Sequence, residues 1–98
     1  MSADIDSTDI EFADNPDDDR YEVRSGGQVI GRADYRRDGD RIIIPHTHID
    51  PAHRGQGLGG QMVQYALDDI RQRGLKVVPA CPFVSDYLAR HPEYSDLV

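Results

Sequence analysis

Three groups of residues in this chain could do chemistry. The first is the stretch at residues 49–63, IDPAHRGQGLGGQMV, where Gly55, Gly57, Gly59 and Gly60 crowd the start of an apolar periodic run. Glycines there allow backbone N–H groups to close on an anion, because no Cβ stands in the way. The second is Cys81, in PACPF, the one cysteine among 98 residues. A thiol can accept an acyl group and pass it on when its surroundings lower its pKa, and it can equally be a small buried hydrophobe. The third is the set His46, His48 and His53, of which the first two alternate along one strand and share a face. With Cys81 they suggest zinc, but no Cys-x-x-Cys or His-x-x-x-His spacing supports it, and His53, in a loop before a helix, is a poor fourth ligand.

The glycine stretch admits several readings. Gly55, Gly57 and Gly60 spell G-x-G-x-x-G, yet the acidic residue of a dinucleotide site is missing some 20 positions on, where the chain reads GLKVVPA. DPAHR also separates the preceding strand from the first glycine, and too little chain follows to build such a sheet. A P-loop is excluded because no Lys-Ser/Thr pair follows Gly60. Beyond the loop, Leu58, Met62, Ala66 and Ile70 recur every fourth residue, with Val63 and Leu67 widening the stripe. This spacing predicts an amphipathic helix over 57–73 that stops at Gly74. Arg71 and Arg73 sit in its last turn, whereas its first turn has no Asp or Glu, so the positive end of the helix dipole is free for an outside anion.

The elements that would position these groups can be read on both sides of the loop. RYEVR, QVIGRADYRR and RIIIPHTHI predict three strands joined by Ser25-Gly26-Gly27 and Asp38-Gly39-Asp40, an antiparallel meander. Pro45 lies inside the third strand and brings no N–H, so a bulge or an unpaired side is expected there. LKVVPAC predicts a buried strand, parallel to RIIIPHTHI because a helix separates the two. A short helix or turn near residues 85–90 and the tail HPEYSDLV, with Tyr94 as its anchor, close the chain. Tyr87 is expected to pack, although a tyrosine there could also protonate a thiolate.

The letters Arg54-x-x-Gly57-x-Gly59, preceded by Ile49-x-Pro51, resemble the pyrophosphate-binding signature R/Q-x-x-G-x-G/A of the GNAT superfamily, the acyl-CoA-dependent N-acetyltransferases. HTHIDPAHRGQGLGGQMV, KVVPACPFVSDYL and RHPEY together resemble the minimal single-domain branch of that superfamily, over roughly residue 28 to the C-terminus. The resemblance implies a mixed α/β fold, in which an antiparallel meander leads into a splayed parallel strand pair with one crossover helix and a short C-terminal helix. It implies acetyl-CoA as cosubstrate, an amine as acceptor and no metal. Its pyrophosphate would sit on Arg54, Gly55, Gln56, Gly57, Leu58, Gly59 and Gly60, and its pantetheine arm would lie between the parted strands beside the Ile49 backbone. The minimal branch also carries a Cys after the parallel strand and a His-Thr pair on the facing strand, positions that match Cys81 and His46-Thr47. A His46–Cys81 contact is therefore expected, with acetyl transfer through a Cys81 thioester. The rival is a non-catalytic acyl-CoA-binding module, which would keep the loop and need neither residue.

Composition narrows the class further. Residues 1–22 hold nine acids against Arg20 alone, while the remaining nine acids meet ten bases. Residues 1–19 are expected to be an acidic, flexible leader and 20–98 a single acetyltransferase domain. The net charge of −7 disfavours nucleic acid, and no long apolar run or signal-like segment suggests a membrane or export. A cytoplasmic protein is expected, consistent with one unpaired cysteine.

Overall fold

The computed structural model of the chain describes residues 9–98. A five-stranded sheet runs in the order β1 (Ile10–Asn15), β2 (Arg20–Ser25), β3 (Gln28–Asp38), β4 (Arg41–Ile49), β5 (Lys76–Val78). The first four strands are antiparallel neighbours, and β5 lies parallel to β4 after the crossover helix α1 (Leu58–Gln72). Helix α2 (Pro82–Arg90) and a 3₁₀ tail (Pro92–Leu97) complete the chain. Among the described residues, no helix is long and apolar enough to cross a membrane.

The six apolar residues of the α1 stripe, Leu58, Met62, Val63, Ala66, Leu67 and Ile70, are all buried. They pack in one core with Tyr21, Val23, Ala33, Ile42, Ile44 and Val77 of the sheet. Burial of a Leu- or Ile-sized side chain stabilises by roughly 1.5–3 kcal/mol, which outweighs the cost, about 1 kcal/mol each, of Gly59 and Gly60 in the first turn. Gly57, at φ 75°, is the N-cap, so α1 starts one residue later than expected. Gly74, at φ 72°, follows its end. Helix α2 starts at Pro82, three residues before the expected 85, because proline's fixed φ suits the first helical position.

Part of the segment 1–19 expected as a flexible leader forms a strand. Its first eight residues lie outside the described ones, but Ile10–Asn15 pairs residue for residue with β2 as an edge strand. Ile10 and Phe12 pack against the core, and Phe12 stacks on Tyr65 of α1. Asp14, facing inward one step further on, is held by the Tyr35 hydroxyl at 2.6 Å and by Arg73. Its acidity obscures an inward alternation that the fold satisfies with a phenol and a guanidinium.

Pro45 has the largest consequence for the site. Register partners Asp34↔His46 and Arg36↔Ile43 leave Ile44 and Pro45 opposite Tyr35 alone, a β-bulge. Side chains of paired residues share a face, and the extra residue reverses the alternation beyond it. Ile42 and Ile44 face the core before the bulge, and after it Thr47, opposite buried Ala33, takes that side. His46 and His48 pair with Asp34 and Arg32 on the other face. That face also holds Glu22, 1% exposed beneath Arg20, Arg24 and Asn15. Burial pushes the Glu22 carboxyl up, but hydrogen bonds from Asn15, Arg20 and Arg24 prevail and hold it at about 2.

Candidate active site

Strand β5 pairs with β4 only from Arg41↔Lys76 to Ile43↔Val78, and β4 then runs on to Ile49 paired with β3 alone. The strands part there, and a groove of about 380 Å³ opens against the start of α1 and the first turn of α2. Of the eight residues expected to bind cosubstrate, Ile49, Arg54, Gly55, Gly57, Leu58, Gly59 and Gly60 line it; Gln56 does not.

Local chemistry shapes the loop. Asp50 accepts from the Ala52 N–H at 3.1 Å, capping a 3₁₀ turn at Pro51–His53. The Arg54 Nε donates to the Ile49 carbonyl at 3.1 Å, tying the cation to the end of β4. Gly55 and Gly57 both have positive φ, which turns the chain into α1. The first-turn N–H groups of α1 have no intrahelical acceptor, and no acid occupies that turn. A Cβ at Gly59 would come 3.0 Å from the Phe83 ring, so glycine lets α2 approach. His53 also lines the groove, and its Nδ1 is the one buried side-chain nitrogen or oxygen among the described residues without a hydrogen-bond partner. Free N–H groups, absent Cβ atoms and Arg54 together make this end of the groove fit a phosphate anion.

At the groove wall, Thr47 meets Cys81, with Oγ1 and Sγ 3.4 Å apart in a hydrogen bond. Cys81 is a free thiol, 6% exposed, and is the N-cap of α2. Burial pushes its pKa up; the Thr47 hydroxyl and the N–H groups of Val84, Phe83 and Thr47 more than offset this, and the thiol lies below its ordinary value. Thr47→Val keeps the shape and removes the hydroxyl, so the thiol should titrate at higher pH. The ultraviolet absorbance of the thiolate, followed against pH, would measure this; an unmoved titration would show that the hydroxyl contributes nothing.

The expected His46–Cys81 contact is not formed. His46 is exposed on the face away from α1, and the residue brought to the thiol is Thr47, which entered the sequence reading only as the neighbour of His46. The physical reason is the bulge at Pro45, whose presence was legible but whose effect on alternation was not. His48 borders the groove. Tyr87 stacks on His91 at 4.0 Å between centroids, and Tyr94 anchors the tail by donating to Asp68 at 2.6 Å. Phe83, 45% exposed on the groove wall, was not singled out from sequence, where PFVSDYL reads only as the start of a helix.

A family model described as GCN5-related N-acetyl-transferase matches residues 20–97. The chain belongs to the GCN5-related N-acetyltransferase family. Its fold is similar to that of a GCN5-like protein of Staphylococcus aureus, solved by NMR, with TM-score 0.71 and 22% identity over 92% of this chain and 88% of that one. It is also similar to the crystal structure of the ribosomal-protein-S18-alanine N-acetyltransferase of Escherichia coli, with TM-score 0.59 and 20% identity over 72% of this chain and 48% of the other, about half that enzyme's length. No curated protein matches by sequence. GCN5-related N-acetyltransferases use acetyl-CoA and an amine acceptor. In this family member the phosphate-fitting loop and Thr47, which is hydrogen-bonded to Cys81, line one groove.

Proposed function

We propose that the chain transfers an acetyl group from acetyl-CoA to an amine by way of a thioester on Cys81. The observation that carries this is the Thr47–Cys81 hydrogen bond, made by a residue that lines the groove. The N–H groups of residues 55–60 and Arg54 hold the pyrophosphate, and the backbone of β4 near Ile49 guides the pantetheine arm. Acetyl-CoA, when bound, supplies the activated acyl group. The Cys81 thiolate, stabilised by the Thr47 hydroxyl and the α2 amides, attacks the acetyl carbonyl, and the carbon–sulfur bond to CoA breaks as its thiolate leaves. A neutral amine then attacks the acetyl-Cys81 carbonyl. Cys81 departs as thiolate, and the nitrogen loses a proton to form the amide. In this reading His46 does not activate the thiol.

The acceptor is an amine on a small molecule, a peptide or a protein lysine. Intact-mass spectrometry after incubation with acetyl-CoA, followed by peptide mapping, tests the proposal. A gain of one acetyl group on the peptide carrying Cys81, removed by an added amine, is the expected outcome. Bound CoA with no adduct would overturn the thioester and leave direct transfer or a binding module.

A further inference from the structure

Met62 belongs to the apolar stripe that packs α1 into the core, yet it also lines the groove, one turn of α1 beyond Leu58. We propose that Met62 is the end stop for the acyl group: it sets the length of chain that can be transferred, favouring acetyl over propionyl and butyryl. The inference deepens the reading that acetyl-CoA occupies the groove and rests on it.

The two walls of the groove run in step. Strand β4 leads into the phosphate-fitting loop and α1 leads away from it, so retreating from the loop means going back along β4 and forward along α1. Ile49 stands against the first turn of α1, since a Cβ at Gly59 would lie 3.7 Å from its side chain. From Ile49 back to Thr47 is two strand residues, about 6.6 Å, and from Leu58 on to Met62 is four helical residues, about 6 Å. Thr47 and Met62 therefore stand at the same depth, that of the thiol which Thr47 holds. Beyond them the groove ends. Ile44 and Ala66, the next core residues along the strand and the helix, are fully buried and do not line it. Met62 is itself wholly shielded from solvent, so where the groove meets this residue it has narrowed to less than the width of a water molecule.

That geometry sorts acyl groups by length. With the pyrophosphate on the loop, the cosubstrate runs from the loop toward Thr47, and the alkyl end of its acyl group points on toward Met62. An acetyl methyl meets the thioether there, and each further methylene must displace it. The unbranched thioether yields more readily than a branched chain would, so the penalty is graded. Forcing one methylene into a packed site should cost about tenfold in rate.

The kcat/KM values for acetyl-, propionyl- and butyryl-CoA, measured with one generic amine by release of the CoA thiol, test the inference in the parent, Met62→Ala and Met62→Val. The readout is the ratio between acyl groups, which does not depend on how much of a variant is folded. In the parent, propionyl-CoA should fall about tenfold and butyryl-CoA about a hundredfold below acetyl-CoA. Met62→Ala should bring butyryl-CoA to within about tenfold of acetyl-CoA by removing the thioether from the end wall. Met62→Val leaves a smaller void in the core and should move the ratio the same way by less. A parent that uses butyryl-CoA as readily as acetyl-CoA overturns the inference, as do variants that keep the parent's ratio. If the parent binds CoA and consumes none of these thioesters, the acetyl-transfer reading fails and this one with it.

Discussion

Cys81→Ala is expected to bind CoA as the parent does and to transfer acetyl groups at least about a thousandfold more slowly, because the covalent route is lost. The two effects separate because Cys81 caps the start of α2 after β5, whereas the phosphate-fitting loop stands between β4 and α1. Removing one buried sulfur leaves a void that costs about 1 kcal/mol, so folding should survive. Steady-state transfer to a generic amine, with calorimetric CoA binding alongside, gives the answer. A variant that turned over at the parent rate would mean that the amine attacks acetyl-CoA directly and that Cys81 is only packing.

Gly57→Glu is expected to weaken CoA binding by about a hundredfold while α1 remains folded. Two causes act together. Gly57 has φ 75°, where any side chain is strained by about 1–2 kcal/mol, so the loop shifts. A carboxylate beside the first turn also competes for the helix dipole that the pyrophosphate needs and adds a repelling charge. The helix survives because its six buried apolar residues hold it in the core. Gly57→Ala, which strains the backbone without the charge, should lose less. Circular dichroism reports the helix and calorimetry the affinity; unchanged CoA affinity in Gly57→Glu would mean that the phosphates lie elsewhere.

Much of this architecture was legible in the sequence because its signals are local. The hairpins followed from Gly26-Gly27 and Gly39, the crossover helix from the four-residue recurrence of Leu58, Met62, Ala66 and Ile70, and the anion loop from four glycines before a first turn without acids. What stayed hidden depended on partners distant in sequence. β1 is a strand because Tyr35 and Arg73 hold Asp14 and because Phe12 finds Tyr65, and no window of residues 1–19 contains those partners. The groove needs Ile49, Met62 and Phe83 brought together from a strand and two helices. Thr47 was hidden differently: its type and position were plain, but the side of the sheet it takes depends on one residue of register against β3.

That register gives Pro45 an influence out of proportion to its size. Seven letters, PHTHIDP, are compatible with two different centres, distinguished only by odd or even spacing from Ile44. Without the extra residue, an imidazole dyad would face the cysteine and a hydroxyl would face water; with it, the assignment is exchanged, although no side chain has changed identity. In such a strand, insertion or loss of a single residue upstream can swap the chemistry presented to a substrate without touching any residue that performs it. Two relatives with the same His-Thr letters could thus activate a thiol by different groups, and strand parity would tell them apart where a comparison of residue types would not.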